Sequence, residues 1–218
     1  DLDCLKYQFS ADGKRIFLLC GKKLLYINFN EFNFDSPNAY EIASDVSDFY
    51  CSKDGRYAAY KKNNSLYLYR TGGESKLLAN NVFGSFFINE SDGSIVYTIY
   101  NSDLCIYNVS KKTEVRTKNV NLYAFKGGSS DQLYYISDGA LFFRGGNNSS
   151  KPIIRNASSV FCIGNEVFAL CEQGGDKTLY MLSSDKCRLI TGGVSEVSKD
   201  FGNSIIIKIK DGRSGGIS

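Results

Sequence analysis

Tyr7-Gln8-Phe9-Ser10-Ala11-Asp12-Gly13-Lys14-Arg15-Ile16-Phe17-Leu18-Leu19 is an apolar strand, a turn built on Asp-Gly, and a second apolar strand. Asp-Gly between apolar runs is the strongest short-range hairpin signal, because primed turns need positive φ. The unit recurs as Phe49-Tyr50-Cys51-Ser52-Lys53-Asp54-Gly55-Arg56-Tyr57-Ala58-Ala59-Tyr60. It recurs again as Phe86-Phe87-Ile88-Asn89-Glu90-Ser91-Asp92-Gly93-Ser94-Ile95-Val96-Tyr97. A third strand of fixed character follows each copy: Leu24-Leu25-Tyr26-Ile27, Leu66-Tyr67-Leu68-Tyr69 and Leu104-Cys105-Ile106-Tyr107. A shorter fourth strand closes each cycle, at Tyr40-Glu41-Ile42, Lys76-Leu77-Leu78 and Glu114-Val115-Arg116.

Later copies keep the rhythm and lose the letters. The turn positions Asp12, Asp54, Asp92, Asp131, Asn165 and Asn203 lie roughly 34–42 residues apart. A period near 40 with four strands per unit matches a β-propeller blade. No stretch of ten or more residues sustains a 3.6 period, which excludes a helical solenoid. The 15 tyrosines and 15 phenylalanines suit half-buried pleated surfaces. The expectation is an all-β, six-bladed propeller of four-stranded antiparallel blades, forming one domain over 1–218. Blade limits fall near 5–45, 46–81, 82–119, 120–157, 158–193 and 194–218. The last blade is expected to be incomplete: two strands, then a stop at Gly215-Gly216-Ile217-Ser218 where a third should begin. The opening Asp1-Leu2-Asp3-Cys4 reads as a piece of a longer protein.

Phe9-Ser10-Ala11-Asp12-Gly13-Lys14-Arg15-Ile16-Phe17 resembles the repeat of TolB-like (PD40-type) propellers, which reads aromatic-Ser-x-Asp-Gly-Lys-x-Ile-x-aromatic. The chain is also similar to uncharacterised propeller domains of anaerobic Gram-positive bacteria, tethered outside the membrane by an N-terminal helix. The resemblance implies a binding or sensing module of a bacterial surface protein. It also implies an alternative, the lid domain of a prolyl-oligopeptidase-type hydrolase whose catalytic domain lies elsewhere.

The chain has no histidine. A Ser-His-Asp triad, a Cys-His pair and histidine-ligated metal are therefore impossible within it. Ser214, in Gly212-Arg213-Ser214-Gly215-Gly216, lacks the strand–turn–helix context of a nucleophile elbow and reads as a loop residue. Asp48 and Glu196, near first-strand starts, are the carboxylates a propeller glycosidase could use. Sugar sites commonly add tryptophan platforms, and the chain has no tryptophan. The glycine pairs do not precede helices, so no phosphate loop is expected. No enzyme activity, cofactor or metal is expected.

Net charge is +3, from 26 basic and 23 acidic residues, with the lysines paired at turns. This is not the basic stripe of a nucleic-acid binder. No apolar run reaches the ~20 residues that span a bilayer. Seven cysteines without a Cys-x-x-Cys pair are expected to be free thiols, mostly buried. That favours a cytoplasmic scaffold, against the cell-surface location that the resemblance implies. Ligands are expected on the loops between second and third strands. The candidates are Lys22, Lys23, Lys61, Lys62, Asn63, Asn101, Asp103, Asp138 and Asp176, whose mixed charge suits a protein or peptide partner.

Overall fold

The computed structural model describes residues 3–31, 38–145, 151–199, 205–210 and 214–217. These contain six antiparallel sheets, in each of which spatial order follows chain order. The first is β1 (Cys4–Phe9), β2 (Arg15–Cys20), β3 (Lys23–Asn28) and β4 (Ala39–Ala43). The second is β5 (Val46–Cys51), β6 (Tyr57–Lys62), β7 (Ser65–Arg70) and β8 (Ser75–Ala79). The third is β9 (Val82–Ile88), β10 (Ile95–Ile99), β11 (Asp103–Asn108) and β12 (Thr113–Thr117). The fourth is β13 (Leu122–Phe125), β14 (Gln132–Ser137), β15 (Ala140–Gly145) and β16 (Lys151–Arg155). The fifth is β17 (Ala157–Ile163), β18 (Glu166–Gln173), β19 (Asp176–Ser183) and β20 (Lys186–Thr191). The sixth is β21 (Val194–Lys199), β22 (Ile205–Ile209) and β23 (Ser214–Ile217).

The third strand of the sixth sheet corrects the expectation that the chain stops before one. Ser214-Gly215-Gly216-Ile217 pairs with β22, Lys208 opposite Ser214 and Ile205 opposite Ile217. Glycine-rich segments carry almost no strand signal in their side chains. The ladder is made by backbone N–H and C=O groups, which every glycine retains. Asn203 lies outside the described residues.

The chain forms two compact units, residues 1–117 and 118–218, of three sheets each. In the first unit the core is two layers between successive sheets. Phe17, Leu19, Leu24 and Tyr26 meet Val46, Phe49, Ala58 and Tyr60. Ala59 and Leu66 meet Val82, Phe86, Ile95 and Tyr97. The neighbours Ala58 and Ala59 serve opposite layers, as the two-residue period of a strand requires. Both are small because aromatic rings fill the layers from either side. In the second unit Tyr134, Ile136 and Leu141 pack on Val160, Val167 and Ala169, while Phe168 and Leu179 pack on Val194 and Ile207. A lone sheet buries neither face; stacking it between neighbours buries both. First strands neighbour one another, β5 lying against β1 and β9. Fourth strands such as β4 and β12 are largely exposed outer edges.

Cys4 and Cys20 form a disulfide, which corrects the expectation of seven free thiols. They stand opposite each other across the β1–β2 ladder. Hairpin register, invisible in a separation of 16 residues, brings them together. Cys51, Cys105, Cys162, Cys171 and Cys187 are free. Burial raises the thiols of Cys51, Cys105 and Cys171 to about 11, which suppresses the reactive thiolate.

Candidate functional site

The three repeated Asp-Gly motifs, at Asp12, Asp54 and Asp92, make hairpins, but not through primed turns. Ser10 N–H donates to the Arg15 carbonyl at 2.9 Å and Gly13 N–H to the Ser10 carbonyl at 2.9 Å. A four-residue connection results, in which Gly13 takes φ +68° and Asp12 stays out of the left-handed region. The Asp12 side chain explains why. One carboxylate oxygen accepts the Ser10 hydroxyl at 2.6 Å and the Lys14 N–H at 3.0 Å. The second sheet repeats this, Asp54 accepting Ser52 at 2.6 Å and Arg56 N–H at 3.0 Å. The serines are buried and their hydroxyls also accept a backbone N–H, from Arg15 at 3.0 Å and Tyr57 at 3.2 Å. Aspartate is therefore chosen as an acceptor, not as a turn former.

The primed turns lie at the opposite end, between second and third strands. Gly21-Lys22, Asn63-Asn64, Asp138-Gly139 and Gly174-Gly175 all have positive φ at both central residues.

The Ser10 hydroxyl first, then the Lys14 amide, hold the Asp12 carboxyl below its ordinary value of 3.8. Burial raises Asp54, but the Ser52 hydroxyl and the Arg56 amide outweigh it and leave it lowered as well. A carboxyl lowered by folding stabilises the protein above its unfolded value and loses that contribution as pH falls through the folded one. Stability is therefore expected to decline as pH drops below about 4. Urea titrations of Ser10→Ala/Ser52→Ala should show a shallower decline; an unchanged slope would count against these hydrogen bonds.

Successive Asp-Gly turns of the first unit are stitched together. Ala11 N–H donates to the Lys53 carbonyl at 2.7 Å, Arg15 Nη1 to the Asp54 carbonyl at 3.0 Å, and the Tyr57 hydroxyl to the Gly93 carbonyl at 2.7 Å. A Cβ on Gly55 would lie 2.8 Å from the Ser10 Cβ, so the close approach of the first two turns requires glycine there. Around these turns lies a groove of about 780 Å³ within the first unit, bordered also by the turns between third and fourth strands. Its carboxylates Asp12 and Asp54 are occupied by turn amides, as is Asp92, which accepts the Ser94 N–H at 2.9 Å. Its exposed cations Lys53, Arg70 and Lys112 have no carboxylate partner among the described residues. Arg56, 3.4 Å from Asp54, is 78% exposed. Glu90 is an exposed carboxylate set against them, and Asp12, Asp54 and Asp92 are exposed as well. The paired lysines Lys22-Lys23 and Lys61-Lys62 point to the opposite end of the sheets, not to this one. The available signal is the pair of basic residues beside the first two turns: Lys14 and Arg15, Lys53 and Arg56.

The residues expected to bind are placed less compactly. Lys22 and Asn63 border a groove of about 540 Å³ at the opposite end of the first unit. Lys22, Asn63, Asn101 and Asp138 hold left-handed turn positions, so each has a structural task. Lys23 pairs with Glu41 at 2.8 Å and Lys62 with Asp45 at 3.8 Å. Lys61 lies in β6, half-buried. Asp103 is buried, 2.6 Å from Arg116 across β11–β12, an anchor for an outer strand. Asp176 binds Lys210 at 2.6 Å in the second unit, which lowers its carboxyl. Of the two carboxylates considered for glycoside chemistry, Asp48 is held by Lys6 Nζ at 2.8 Å. Glu196 belongs to the other unit. Among the described residues no helix is long and apolar enough to cross a membrane.

No family model matches the chain, and no curated protein matches it in sequence. Solved structures do. Hsv2 of Kluyvelomyces marxianus is similar with a TM-score of 0.55 and 11% identity over 95% of this chain and 73% of that one. The tricorn protease is similar with a TM-score of 0.50 and 10% identity over 94% of this chain and 28% of that one. PorZ, a bacterial surface component of the type-IX secretion system of Porphyromonas gingivalis, is similar with a TM-score of 0.50 and 11% identity. That likeness covers 99% of this chain and 33% of that one. Likeness at such identities is one of fold, and the fold is a β-propeller.

Proposed function

We propose that the chain is a non-catalytic binding propeller that takes an acidic peptide or protein segment in the groove at the Asp-Gly turns of residues 1–117. The observation that carries this reading is the imbalance within the groove. Its aspartates accept turn amides, while Lys53, Arg70 and Lys112 stand exposed without carboxylate partners among the described residues. An extended anionic segment meets them without displacing any interaction that holds the turns. The groove is open, so the attraction is screened by salt. It contributes to orientation and association rate more than to affinity.

The Cys4–Cys20 bridge supports a place outside the cytoplasm, as part of a bacterial surface protein, over an intracellular scaffold. The resemblance to TolB-like repeats supports the same location. The likeness to PorZ is to a protein described as a surface component, and it adds only the fold. The hydrolase-lid alternative has no observation in its favour beyond the resemblance.

The test is fluorescence anisotropy with a labelled glutamate-rich decapeptide, titrated with the 218-residue protein at two salt concentrations. Arg70→Glu/Lys112→Glu is expected to weaken binding at least tenfold, about 1.4 kcal/mol. Lys22→Glu/Lys61→Glu, at the opposite end, is expected to change it little. Equal losses from both variants, or a salt-independent affinity, would remove the groove from consideration.

A further inference from the structure

Tyr26 and Tyr40 stand opposite each other across the β3–β4 ladder. Their rings lie 6.3 Å apart, tilted by 33°. Tyr26 is buried in the layer between the first two sheets, and Tyr69 of β7 is buried in the same layer. Tyr40, 49% exposed, carries the aromatic surface outward. The three tyrosines border a groove of about 650 Å³ between the first two sheets. Its other wall is the turn between β7 and β8, where the Tyr69 hydroxyl accepts the Gly72 N–H at 3.4 Å. Gly72 and Gly73 leave that wall without side chains.

The groove carries one sign of charge. Glu31, Glu41 and Glu74 border it, and among the described residues no lysine or arginine does. Lys23 reaches Glu41 at 2.8 Å, in a pair that is exposed on both sides. Glu31 accepts a bond from Asn28 Nδ2 at 2.8 Å, a neutral donor that leaves its charge uncompensated. Glu74 is exposed and has no ion-pair partner among the described residues.

A metal ion does not suit these carboxylates. It needs several oxygens converging at about 2.0–2.6 Å, and no group of three acidic or sulfur-bearing residues among those described could hold one. An organic cation asks for less: an aromatic face with negative charge beside it. The same two sheets already hold one in this way, Lys6 Nζ lying 3.7 Å from the centre of the Tyr50 ring while bonding Asp48 at 2.8 Å. A planar guanidinium suits a tyrosine wall better than an ammonium does, because it stacks on the ring and turns its N–H groups sideways to carboxylates.

We propose that this groove is a binding site for an alkyl-guanidinium group, of which the arginine side chain is the simplest case. The guanidinium plane lies on Tyr40, and Glu31 and Glu74 balance its charge. An arginine within a peptide and a free guanidinium compound offer the same chemistry. The site does not rest on the groove at the Asp-Gly turns, with which it shares no residue.

The test is fluorescence anisotropy with a labelled tetra-arginine peptide and the 218-residue protein at low salt. Tyr40→Leu keeps apolar bulk and removes the ring; it is expected to weaken binding about threefold. Glu31→Gln/Glu74→Gln keeps the acceptor that Asn28 uses and is expected to weaken binding about fivefold. Glu172→Gln, which removes an exposed carboxylate of β18, is expected to leave it unchanged. A tetra-citrulline peptide, of the same shape without the charge, is expected not to bind, and tetra-lysine to bind more weakly than tetra-arginine. Competition with L-argininamide separates the two sources. Displacement at concentrations near those of the peptide assigns the site to a free guanidinium compound, and displacement only far above them assigns it to a peptide segment. No displacement at all overturns the proposal. So do equal losses from the Glu31/Glu74 and Glu172 variants, equal affinity for tetra-lysine, or an unaffected Tyr40→Leu.

Discussion

Phe49→Ala is expected to lower the unfolding free energy by about 3–5 kcal/mol, the range for a large aromatic truncated inside a core. Phe49 has no exposed surface and sits in the layer where the first two sheets meet, among Phe17, Tyr26, Val46 and Tyr60. Those neighbours belong to strands held by their own ladders, so they cannot collapse into the void. Total stability of a domain is about 5–15 kcal/mol, and the loss is a large part of it. Tyr7→Ala is the informative control, because it truncates the same repeat position where the ring is 65% exposed. Its expected cost in the isolated chain is within about 0.5 kcal/mol, as for other surface changes. Urea denaturation of both variants measures the difference. Similar losses would mean that Tyr7 is covered in solution and is not a surface residue.

Reduction of the Cys4–Cys20 bridge is expected to cost about 3 kcal/mol, from the chain entropy of closing a loop of its size. The separation is 16 residues. The bridge closes the end of the β1–β2 hairpin remote from the Asp-Gly turn, and β1 presents an exposed apolar face. The covalent tie therefore holds a strand that packing secures on one side only. Cys4→Ser/Cys20→Ser should melt lower by about 6–12 °C, at 2–4 °C per kcal/mol for a chain of this size. Thiol titration in denaturant checks the premise directly. Five thiols should react before reduction and seven after it. Seven reactive thiols without reductant would remove both the bridge and its support for an oxidising location.

The blade repeat was legible because it is written in local chemistry. Strand alternation, Asp-Gly punctuation and a spacing of 34–42 residues are properties of neighbouring residues. Strands with weak letters, such as Lys151–Arg155, still fell where the rhythm put them. The Asp-Gly pairs at Asp12, Asp54 and Asp92 marked their hairpins correctly but for a different reason from the one expected. The aspartate is a side-chain acceptor for turn amides, and the primed turns sit at Gly21-Lys22 and Asn63-Asn64 instead. β23 was missed because two of its four residues are glycines, which pair through backbone without leaving a pattern.

The candidate site was legible only in part. That Lys53, Arg70 and Lys112 border one groove depends on how three sheets stack, since these residues lie on different turns of different repeats. Asp103 looked like a loop anion, and its burial against Arg116 comes from the pairing of β11 with β12.

By itself the sequence determined the four-stranded unit, its order and its period, and the absence of any histidine chemistry, because each is a matter of which residues stand close along the chain. Only the tertiary structure decided which cysteines join, which aspartates are already spent on turns, and why Phe49 is core while Tyr7, at the same place in the repeat, faces water. Those depend on what lies across a ladder or against a sheet face, and a repeat that writes every blade alike leaves both unsaid.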